Sequence, residues 1–291
     1  MILMLTAVAA LGGLTLLLAL VLVVANKKLH VFEDPRIDVV EDMLPHANCG
    51  ACGFPGCRPF AEALVKNEAP PANCTVSADT DRALIADFLG VQAGSAVKRV
   101  ARLACGGGLN VSRTYASYKG QPSCRAAALV AGGGKGCTWG CLGLGDCEDV
   151  CNFDALHLNA FHLPIVSEQR CTACNDCVEV CPKDLFSLQP QDQRLWVACK
   201  SKAQGDEVLA SCEVGCTACA RCAMDASGTL VTMDGNLPVV DYTQDHDTRK
   251  PIERCPTGAI VWLDPEKGVM TGEASPKVIR TTPLPSGFPG I

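Results

Sequence analysis

Hydrophobic residues without a single charge fill the start of the chain, from residue 2 to residue 25. A run of this length can cross the hydrocarbon core of a bilayer as one helix. It lacks a basic segment before it and is longer than the apolar part of a signal peptide, so we expect it to be retained. The alternative is a buried helix of a soluble domain. Lys27 and Lys28 follow directly, and the positive-inside rule predicts a single-pass protein of the inner (cytoplasmic) membrane, with its soluble part on the cytoplasmic side.

After this run the hydrophobic pattern breaks into short pieces separated by Gly and Pro. Helical spacing predicts short helices that begin at Asp34-Pro35 and over residues 60–66 and 78–90. Strand-like runs predict a single strand at 97–104 and strand pairs at 155–166, 185–198 and 229–240, the last two pairs turning at 189–192 and 234–236. Short helices mixed with short strands predict an α+β fold built from small modules. Residues 271–291 are rich in Pro, Ser and Gly and predict a tail without a fixed core.

Composition points the same way. The 291 residues include 20 Cys, whereas aromatic residues make up only 5 %. We therefore expect small modules stabilised by bound metal and not one large core. The net charge of −6 comes with no basic stripe, which argues against nucleic acid as a partner.

The most specific motif is a C-x2-C-x2-C-x3-C-P run, which is typical of ligands to [4Fe–4S] clusters. Its residues are Cys171, Cys174, Cys177, Cys181 and Pro182. A second run precedes it, with wider spacings of three and five residues and with Asn152 in place of the proline. Its cysteines are Cys137, Cys141, Cys147 and Cys151.

In two-cluster ferredoxins the fourth Cys of each run ligates the other cluster. This rule predicts one cluster at Cys137, Cys141, Cys147 and Cys181, and another at Cys171, Cys174, Cys177 and Cys151. Zinc is the alternative metal, but structural zinc favours two C-x2-C knuckles that are farther apart. Disulfides would require an oxidising compartment.

A further cysteine motif lies near the predicted membrane helix. It consists of Cys49, Cys52, Cys57 and, beyond a predicted helix, Cys74. Gly50, Gly53 and Gly56 allow backbone amides to approach sulfide closely. We predict one [4Fe–4S] cluster here, with a zinc knuckle as the alternative.

A third ferredoxin-like run is incomplete. A triplet, Cys216, Cys219 and Cys222, is followed far downstream by Cys255-Pro256. The four other ligand positions hold Ala226, Asp245, Thr248 and Pro251. Under the crossed-ligand rule these are the four ligands of one cluster, so we expect one cluster to be lost as a unit and the other to be held by Cys216, Cys219, Cys222 and Cys255. An inert remnant with packed cysteines is the alternative.

Four cysteines remain: Cys105, Cys124, Cys199 and Cys212. Leu103-Ala-Cys105 and Val197-Ala-Cys199 share one pattern, and each begins a stretch that leads to a cysteine run. Buried thiols are the interpretation we favour, two disulfides are an alternative, and a fifth cluster is a further alternative if the two modules face each other.

Taken together, the apolar run, the C-x2-C-G-x2-G-C motif and the ferredoxin modules over residues 1–263 resemble the B subunit of the Rnf complex. The stretch from Gly136 to Cys147 resembles the version with extra C-terminal modules. The resemblance implies a membrane-bound, ion-translocating ferredoxin:NAD oxidoreductase, in which this subunit relays electrons from soluble ferredoxin to other subunits through 4Fe-4S clusters. Four clusters are expected, or five if the remaining cysteines bind one.

The predicted domains are a transmembrane anchor (1–26), a helical 4Fe-4S domain (32–92), a two-cluster ferredoxin-like domain (93–198), a degenerate one (199–265) and a tail (266–291). The sequence shows no acid–base pair or activated nucleophile, so we predict a non-catalytic electron-relay subunit of a translocase. Two alternatives are an iron–sulfur subunit of a different membrane-associated oxidoreductase and a zinc-stabilised membrane adaptor.

Overall fold

A computed structural model describes residues 2–29, 33–244, 246–278 and 280–286. The first helix, α1, spans Ile2–Leu29. Its segment Val8–Leu29 has a mean hydropathy of 2.7, and none of that segment is buried against the rest of the chain. This is the apolar helix that the sequence predicts, long enough and apolar enough to cross a bilayer.

A small helical domain follows. Its helices are α2 (Arg36–Met43), α3 (Cys57–Val65) and α4 (Asp79–Leu89). The Asp34 carboxylate accepts a hydrogen bond from the backbone N–H of Arg36 at 2.9 Å and so caps α2. Val40 of α2 is buried together with Phe60 and Leu64 of α3, and Ile85 of α4 joins them. The three helices therefore share one core, and that core holds the loop between α2 and α3 in place.

The rest of the chain forms two modules of short helices and strands. In chain order these are β1 (Arg99–Leu103), α5 (Cys124–Leu129), α6 (Asp146–Asp149), β2 (Leu156–Leu158), β3 (Pro164–Val166), α7 (Asp176–Val180), β4 (Phe186–Pro190), β5 (Leu195–Val197), α8 (Gly205–Ser211), α9 (Arg221–Asp225), β6 (Val231–Asp234), β7 (Leu237–Val240), α10 (Lys250–Glu253), β8 (Ile260–Asp264) and β9 (Gly268–Met270).

Two of the predicted strand pairs form as hairpins. Strands β2 and β3 pair antiparallel, and so do β6 and β7. Gly235 and Asn236 connect β6 to β7 as a two-residue loop, and Gly235 has a φ of +56°, which suits a turn of this kind.

The prediction that residues 185–198 form a third hairpin is wrong. Both strands exist, but β4 pairs antiparallel with β1 and β5 pairs antiparallel with β8. Val100 of β1 and Leu195 of β5 are each completely buried by these long-range pairings. Burial against distant strands therefore outweighs the local turn signal.

Each module has its own core, and the two modules meet directly. Phe186 belongs to the core of the first module and Ile260 to that of the second. Across the junction, the indole N–H of Trp196 donates to the carbonyl of Leu103 at 2.9 Å. The backbone N–H of Gly106 donates to the carbonyl of Ala198 at 2.9 Å. The junction lies where β1 and β5 end.

The described part of the tail lies against this body, which its composition does not predict. The Arg280 guanidinium donates to the Asn110 carbonyl at 2.5 Å and to the Glu213 carboxylate at 2.9 Å. The backbone N–H of Leu284 donates to the carbonyl of Leu109 at 2.8 Å. The tail therefore contacts both sides of the junction between the modules.

Candidate metal centres

The cysteines fall into groups of four, and the first group lies in the helical domain. It consists of Cys49, Cys52, Cys57 and Cys74, which the sequence predicts as one ligand set. Burial, together with the neighbouring thiols of Cys74 and Cys49, raises the pKa of Cys52. Gly50 and Gly53 have φ values of +71° and +89°, which favour glycine in this loop. The Ser77 hydroxyl donates to Cys74 Sγ at 3.0 Å.

The second group lies in the first ferredoxin-like module. Cys151, Cys171, Cys174 and Cys177 line one cavity of about 20 Å³. Backbone N–H groups donate to two of these sulfurs, from Ala101 to Cys171 and from Ala155 to Cys151, each at 3.4 Å. Burial and the neighbouring thiols raise the pKa of Cys177 to about 12. The structure thus brings together the set that the crossed-ligand rule predicts.

The third group differs from the sequence prediction by one residue. Cys141, Cys147 and Cys181 line a cavity of about 20 Å³, but the fourth cysteine there is Cys124 and not Cys137. Burial and the thiols of Cys141, Cys124 and Cys181 raise the pKa of Cys147. The predicted grouping of Cys137 with this set is therefore corrected to Cys124.

The physical reason for the exchange lies at Leu144. Cys141, Leu144 and Cys147 have the spacing of a C-x2-C-x2-C triplet, with Leu144 in place of the middle cysteine. The backbone N–H groups of Leu144 and Asp146 lie close to the Cys124 sulfur and partly offset the burial that raises the pKa of Cys124. A cysteine from α5 thus reaches the place that the motif leaves without a sulfur.

The Asp146 carboxylate holds Cys124 in this position. One of its oxygens accepts from the Cys124 backbone N–H at 2.7 Å, and the other accepts from the Arg125 backbone N–H and the Ser123 hydroxyl. Although burial opposes its ionisation, the N–H groups of Cys124 and Arg125 leave the pKa of Asp146 below its ordinary value.

The fourth group lies in the second module and matches the predicted set. Cys216, Cys219, Cys222 and Cys255 line a cavity of about 20 Å³. Cys219 is the exposed cysteine of this group. Three of the four substituted ligand positions are Ala226, at the end of α9, Thr248, and Pro251, which is buried in α10. The fourth, Asp245, lies outside the described residues.

The last four cysteines are also together, but not in the predicted combination. Cys105, Cys137, Cys199 and Cys212 line a cavity of about 110 Å³ at the junction of the modules. The sequence predicts Cys124 in this set, and the structure places Cys137 there. The missed signal is a repeat: Cys137-Thr-Trp-Gly-Cys141 matches Cys212-Glu-Val-Gly-Cys216, and this alignment pairs Cys137 with Cys212.

The chemistry of these groups suits iron–sulfur clusters. All twenty cysteines are free thiols. Four sulfurs surrounding one cavity, with backbone N–H groups directed at them, form the kind of environment in which a [4Fe–4S] cluster is bound and its potential set. Within the described ranges, no three His, Cys, Asp or Glu side chains converge as ligands of a single metal ion.

An exposed apolar helix of transmembrane length, followed by groups of four cysteines, defines a membrane-associated iron–sulfur protein. Residues 44–76, which contain the first group, match a family model described as "Putative Fe-S cluster".

Relatives match over most of the chain. The B subunit of the Na(+)-translocating ferredoxin:NAD(+) oxidoreductase complex of Acetobacterium woodii is 37 % identical over 87 % of this chain and 76 % of its own length. The B subunit of the ion-translocating oxidoreductase complex of Methanosarcina acetivorans is 33 % identical over 91 % of this chain and 97 % of its own length. The B subunit of the proton-translocating ferredoxin:NAD(+) oxidoreductase complex of Clostridium ljungdahlii is 36 % identical over 84 % of this chain and 87 % of its own length. The chain therefore belongs to the family of B subunits of ion-translocating oxidoreductase (Rnf) complexes, which confirms the family predicted from the sequence.

Proposed function

We propose that this protein is a membrane-anchored, non-catalytic relay that passes low-potential electrons from soluble ferredoxin, through a series of [4Fe–4S] clusters, to the membrane subunits of its complex. The observation that carries this proposal is the division of the cysteines into four-sulfur groups, of which the first three adjoin one another from the anchored end of the chain outward. Ferredoxin appears in the names of two relatives, and we extend it to this chain as its electron donor.

Four ligand sets carry the proposed clusters. They are Cys49, Cys52, Cys57 and Cys74; Cys151, Cys171, Cys174 and Cys177; Cys124, Cys141, Cys147 and Cys181; and Cys216, Cys219, Cys222 and Cys255. A bound [4Fe–4S] cluster supplies one-electron chemistry. The chain provides the thiolates and directs backbone N–H groups at their sulfurs, and these groups tune the potential.

Contacts between residues next to the ligands support the order of the relay. The Thr75 hydroxyl donates to the Thr172 carbonyl at 2.6 Å. Thr75 follows Cys74 of the first set and Thr172 follows Cys171 of the second, so these two sets adjoin. Cys147 of the third set lies within α6, and Cys151 of the second set lies two residues after α6 ends, so these two sets adjoin as well. The relay therefore runs from the helical domain into the first module.

The exposure of Cys219 and the position of the helical domain next to α1 indicate where electrons enter and leave the relay. Cys219 is the exposed cysteine of the chain, the others being half-buried or buried, so the set in the second module is the place where a soluble donor can approach most closely. The helical domain follows α1 directly, and its set is therefore the one that delivers electrons to membrane partners. Lys27 and Lys28 at the end of α1 support a cytoplasmic location for the soluble part.

The test is metal analysis and reduction of the full-length chain, purified anaerobically in detergent. We expect at least about sixteen iron atoms with matching sulfide, four for each of four clusters, and paramagnetic resonance signals from reduced clusters after reduced ferredoxin is added. Zinc with little iron would contradict the proposal. A fully loaded chain that chemical reductants reduce but ferredoxin does not would remove ferredoxin as the donor.

A further inference from the structure

The cavity at the junction of the two modules contains the four sulfurs that the relay described above does not use. We propose that Cys105, Cys137, Cys199 and Cys212 hold a fifth [4Fe–4S] cluster, which connects the third ligand set to the set in the second module. This inference rests on the proposed function, because it extends the same electron relay across the junction.

The sequence contributes these sulfurs in two equivalent pairs. Cys105 lies two residues after the end of β1, and Cys199 lies two residues after the end of β5. Cys137 and Cys212 each begin a C-x3-C motif whose second cysteine belongs to a neighbouring ligand set. Each module thus supplies one cysteine of each kind, as a site shared between two related modules requires.

The hydrogen bonds to the sulfurs repeat in the same way. Cys105 Sγ accepts from the backbone N–H groups of Gly107 at 3.4 Å and Cys141 at 3.5 Å. Cys199 Sγ accepts from those of Ser201 at 3.5 Å and Cys216 at 3.3 Å. In both modules the donors are the residue two positions on and the nearest ligand of the adjoining set. If Cys105 and Cys199 were only packed thiols, there would be no reason for their N–H donors to correspond in this way.

Backbone N–H groups also lie near the other two sulfurs. Those of Trp139 and Val214 oppose the burial that raises the pKa of Cys137 and of Cys212. Each of the four cysteines thus has the N–H group of the residue two positions further along the chain near its sulfur. Cys174 and Cys216, in two of the other ligand sets, have Asp176 and Ala218 in the same relation. The junction cysteines thus have the local conformation of cluster ligands.

The junction also has room among its sulfurs. Its cavity of about 110 Å³ is larger than the cavities of about 20 Å³ inside the second, third and fourth groups. At Gly107 an added Cβ atom would lie 3.3 Å from Cys212 Sγ and 3.6 Å from Cys105 Sγ. Gly107 therefore keeps a side chain out of the space between two of the sulfurs.

A positive charge lies beside the cavity. The Lys135 ammonium donates to the Gly107 carbonyl at 2.8 Å, and Lys135 lies close enough to Cys137 to affect that thiol. Four thiolates around an iron–sulfur core carry net negative charge, and a buried charge of this kind needs a partner and hydrogen bonds. Lys135 and the N–H groups supply both. Each thiol would lose its proton and bind one iron, with no change in oxidation state.

The location gives the cluster its role. Cys141, whose N–H donates to Cys105 Sγ, belongs to the third set, and Cys216, whose N–H donates to Cys199 Sγ, belongs to the set in the second module. One hydrogen bond therefore separates the junction sulfurs from a ligand of each neighbouring cluster. With the fifth cluster, the series of sites continues across the junction.

The test compares iron and sulfide in the full-length protein, purified anaerobically, with those in Cys137→Ala and Cys199→Ala, which remove one sulfur from each module. We expect about twenty iron atoms in the unaltered chain, from five clusters, and about four fewer in each variant. About sixteen iron atoms in the unaltered chain, with no loss in either variant, would overturn the fifth cluster and leave the four-cluster relay standing. Zinc with little iron would overturn both.

A cysteine variant that folds poorly would lose more than four iron atoms and would not test the fifth cluster by itself. Two glycine variants provide a second test for that case. Gly107→Ala places a methyl group between two junction sulfurs, whereas Gly106→Ala meets its nearest neighbours at 3.6 and 3.7 Å, an ordinary contact distance. We expect Gly107→Ala to release about four iron atoms to a chelator several-fold faster than the unaltered chain, and Gly106→Ala to match the unaltered chain. Equal release from both glycine variants would contradict the proposal.

Discussion

Single residues decide which cysteines line the same cavity. Cys171, Cys174 and Cys177 stand at a fixed local spacing and the crossed-ligand rule adds Cys151, so this set could be predicted from the sequence. Cys124 could not be assigned in that way, because it reaches its site from a separate helix, α5, and no spacing rule links it to Cys141. Leu144, at the position of a middle ligand, is the local sign that a distant sulfur is needed.

This grouping makes a rescue experiment possible. We expect Cys124→Ala to lose the cluster of the third set, about four iron atoms, and Leu144→Cys to restore it in the double variant. The reason is that Leu144 corresponds to Cys219 in the second module, so a cysteine there completes a C-x2-C-x2-C triplet. Iron content and the resonance signal after reduction measure both effects.

The matched control is Cys137→Ala combined with the same Leu144→Cys change. Because Cys137 lines the junction cavity and not this one, we expect no rescue in that pair. If Leu144→Cys instead restored iron to the Cys137 variant and not to the Cys124 variant, the sequence-based grouping would be correct and the structural grouping wrong.

A second prediction at this scale concerns redox potential. The Asp176 carboxylate lies beside Cys174, and its charge contributes, after burial, to raising the pKa of that thiol to about 11. The same charge disfavours the extra electron of a reduced cluster, so Asp176→Asn should raise the midpoint potential. An interaction of about 1 kcal/mol corresponds to roughly 40 mV for one electron.

Redox titration monitored by resonance spectroscopy measures this change. Asp192→Asn, in an exposed turn of the same module, is the control and should leave the potential unchanged. An unchanged potential in Asp176→Asn, with all clusters present, would show that acidic neighbours do not lower the potentials of these sites.

At the scale of elements, a side chain from α6 caps α5. Asp146→Ala removes three hydrogen bonds at the start of α5 and frees the segment that carries Cys124. Loss of a capping residue costs about 1–2 kcal/mol, a factor of about 5–30 in an equilibrium. We expect about four iron atoms to be released to a chelator faster by that factor.

Asp149→Ala is the matched control, since Asp149 is exposed in the same short helix. We expect it to release iron at the rate of the unaltered chain. Equal release from both variants would mean that the cap does not hold Cys124 at its site.

The elements also show where sequence patterns stop being informative. The hairpins β2–β3 and β6–β7 are closed by local turns, so their pairing follows from residues next to each other. Strands β4 and β5 have an equally plausible turn between them, yet they pair with β1 and β8. Which partner wins depends on the area buried in the finished cores, and a turn signal carries no information about that.

At the scale of the whole molecule, the tail contacts both modules at their junction. Arg280 bonds to Asn110 on the side of the first module and to Glu213 beside Cys212 on the other. Two further hydrogen bonds cross the junction nearby, from Arg113 N–H to the Ser211 carbonyl at 2.9 Å and from Glu213 N–H to the Val111 carbonyl at 2.8 Å.

We therefore predict that Arg280→Gln speeds amide hydrogen exchange at Arg113 and Glu213 several-fold, because the junction opens more often without the ion pair. Exchange followed by mass spectrometry on the full-length chain measures the effect. Lys277→Gln, an exposed change in the same tail, should have none. Unaltered exchange in Arg280→Gln would mean that the tail contact adds nothing to the junction.

The paired origin of the junction sulfurs has a consequence for how the protein matures. Cys105 and Cys137 leave the ribosome well before Cys199 and Cys212, so the junction cannot be metallated until the second module has been synthesised and docked. The ligand sets within each module have no such requirement. In a cell short of iron we expect the junction to be loaded last, so that chains inserted in the membrane hold the clusters within each module and lack the fifth.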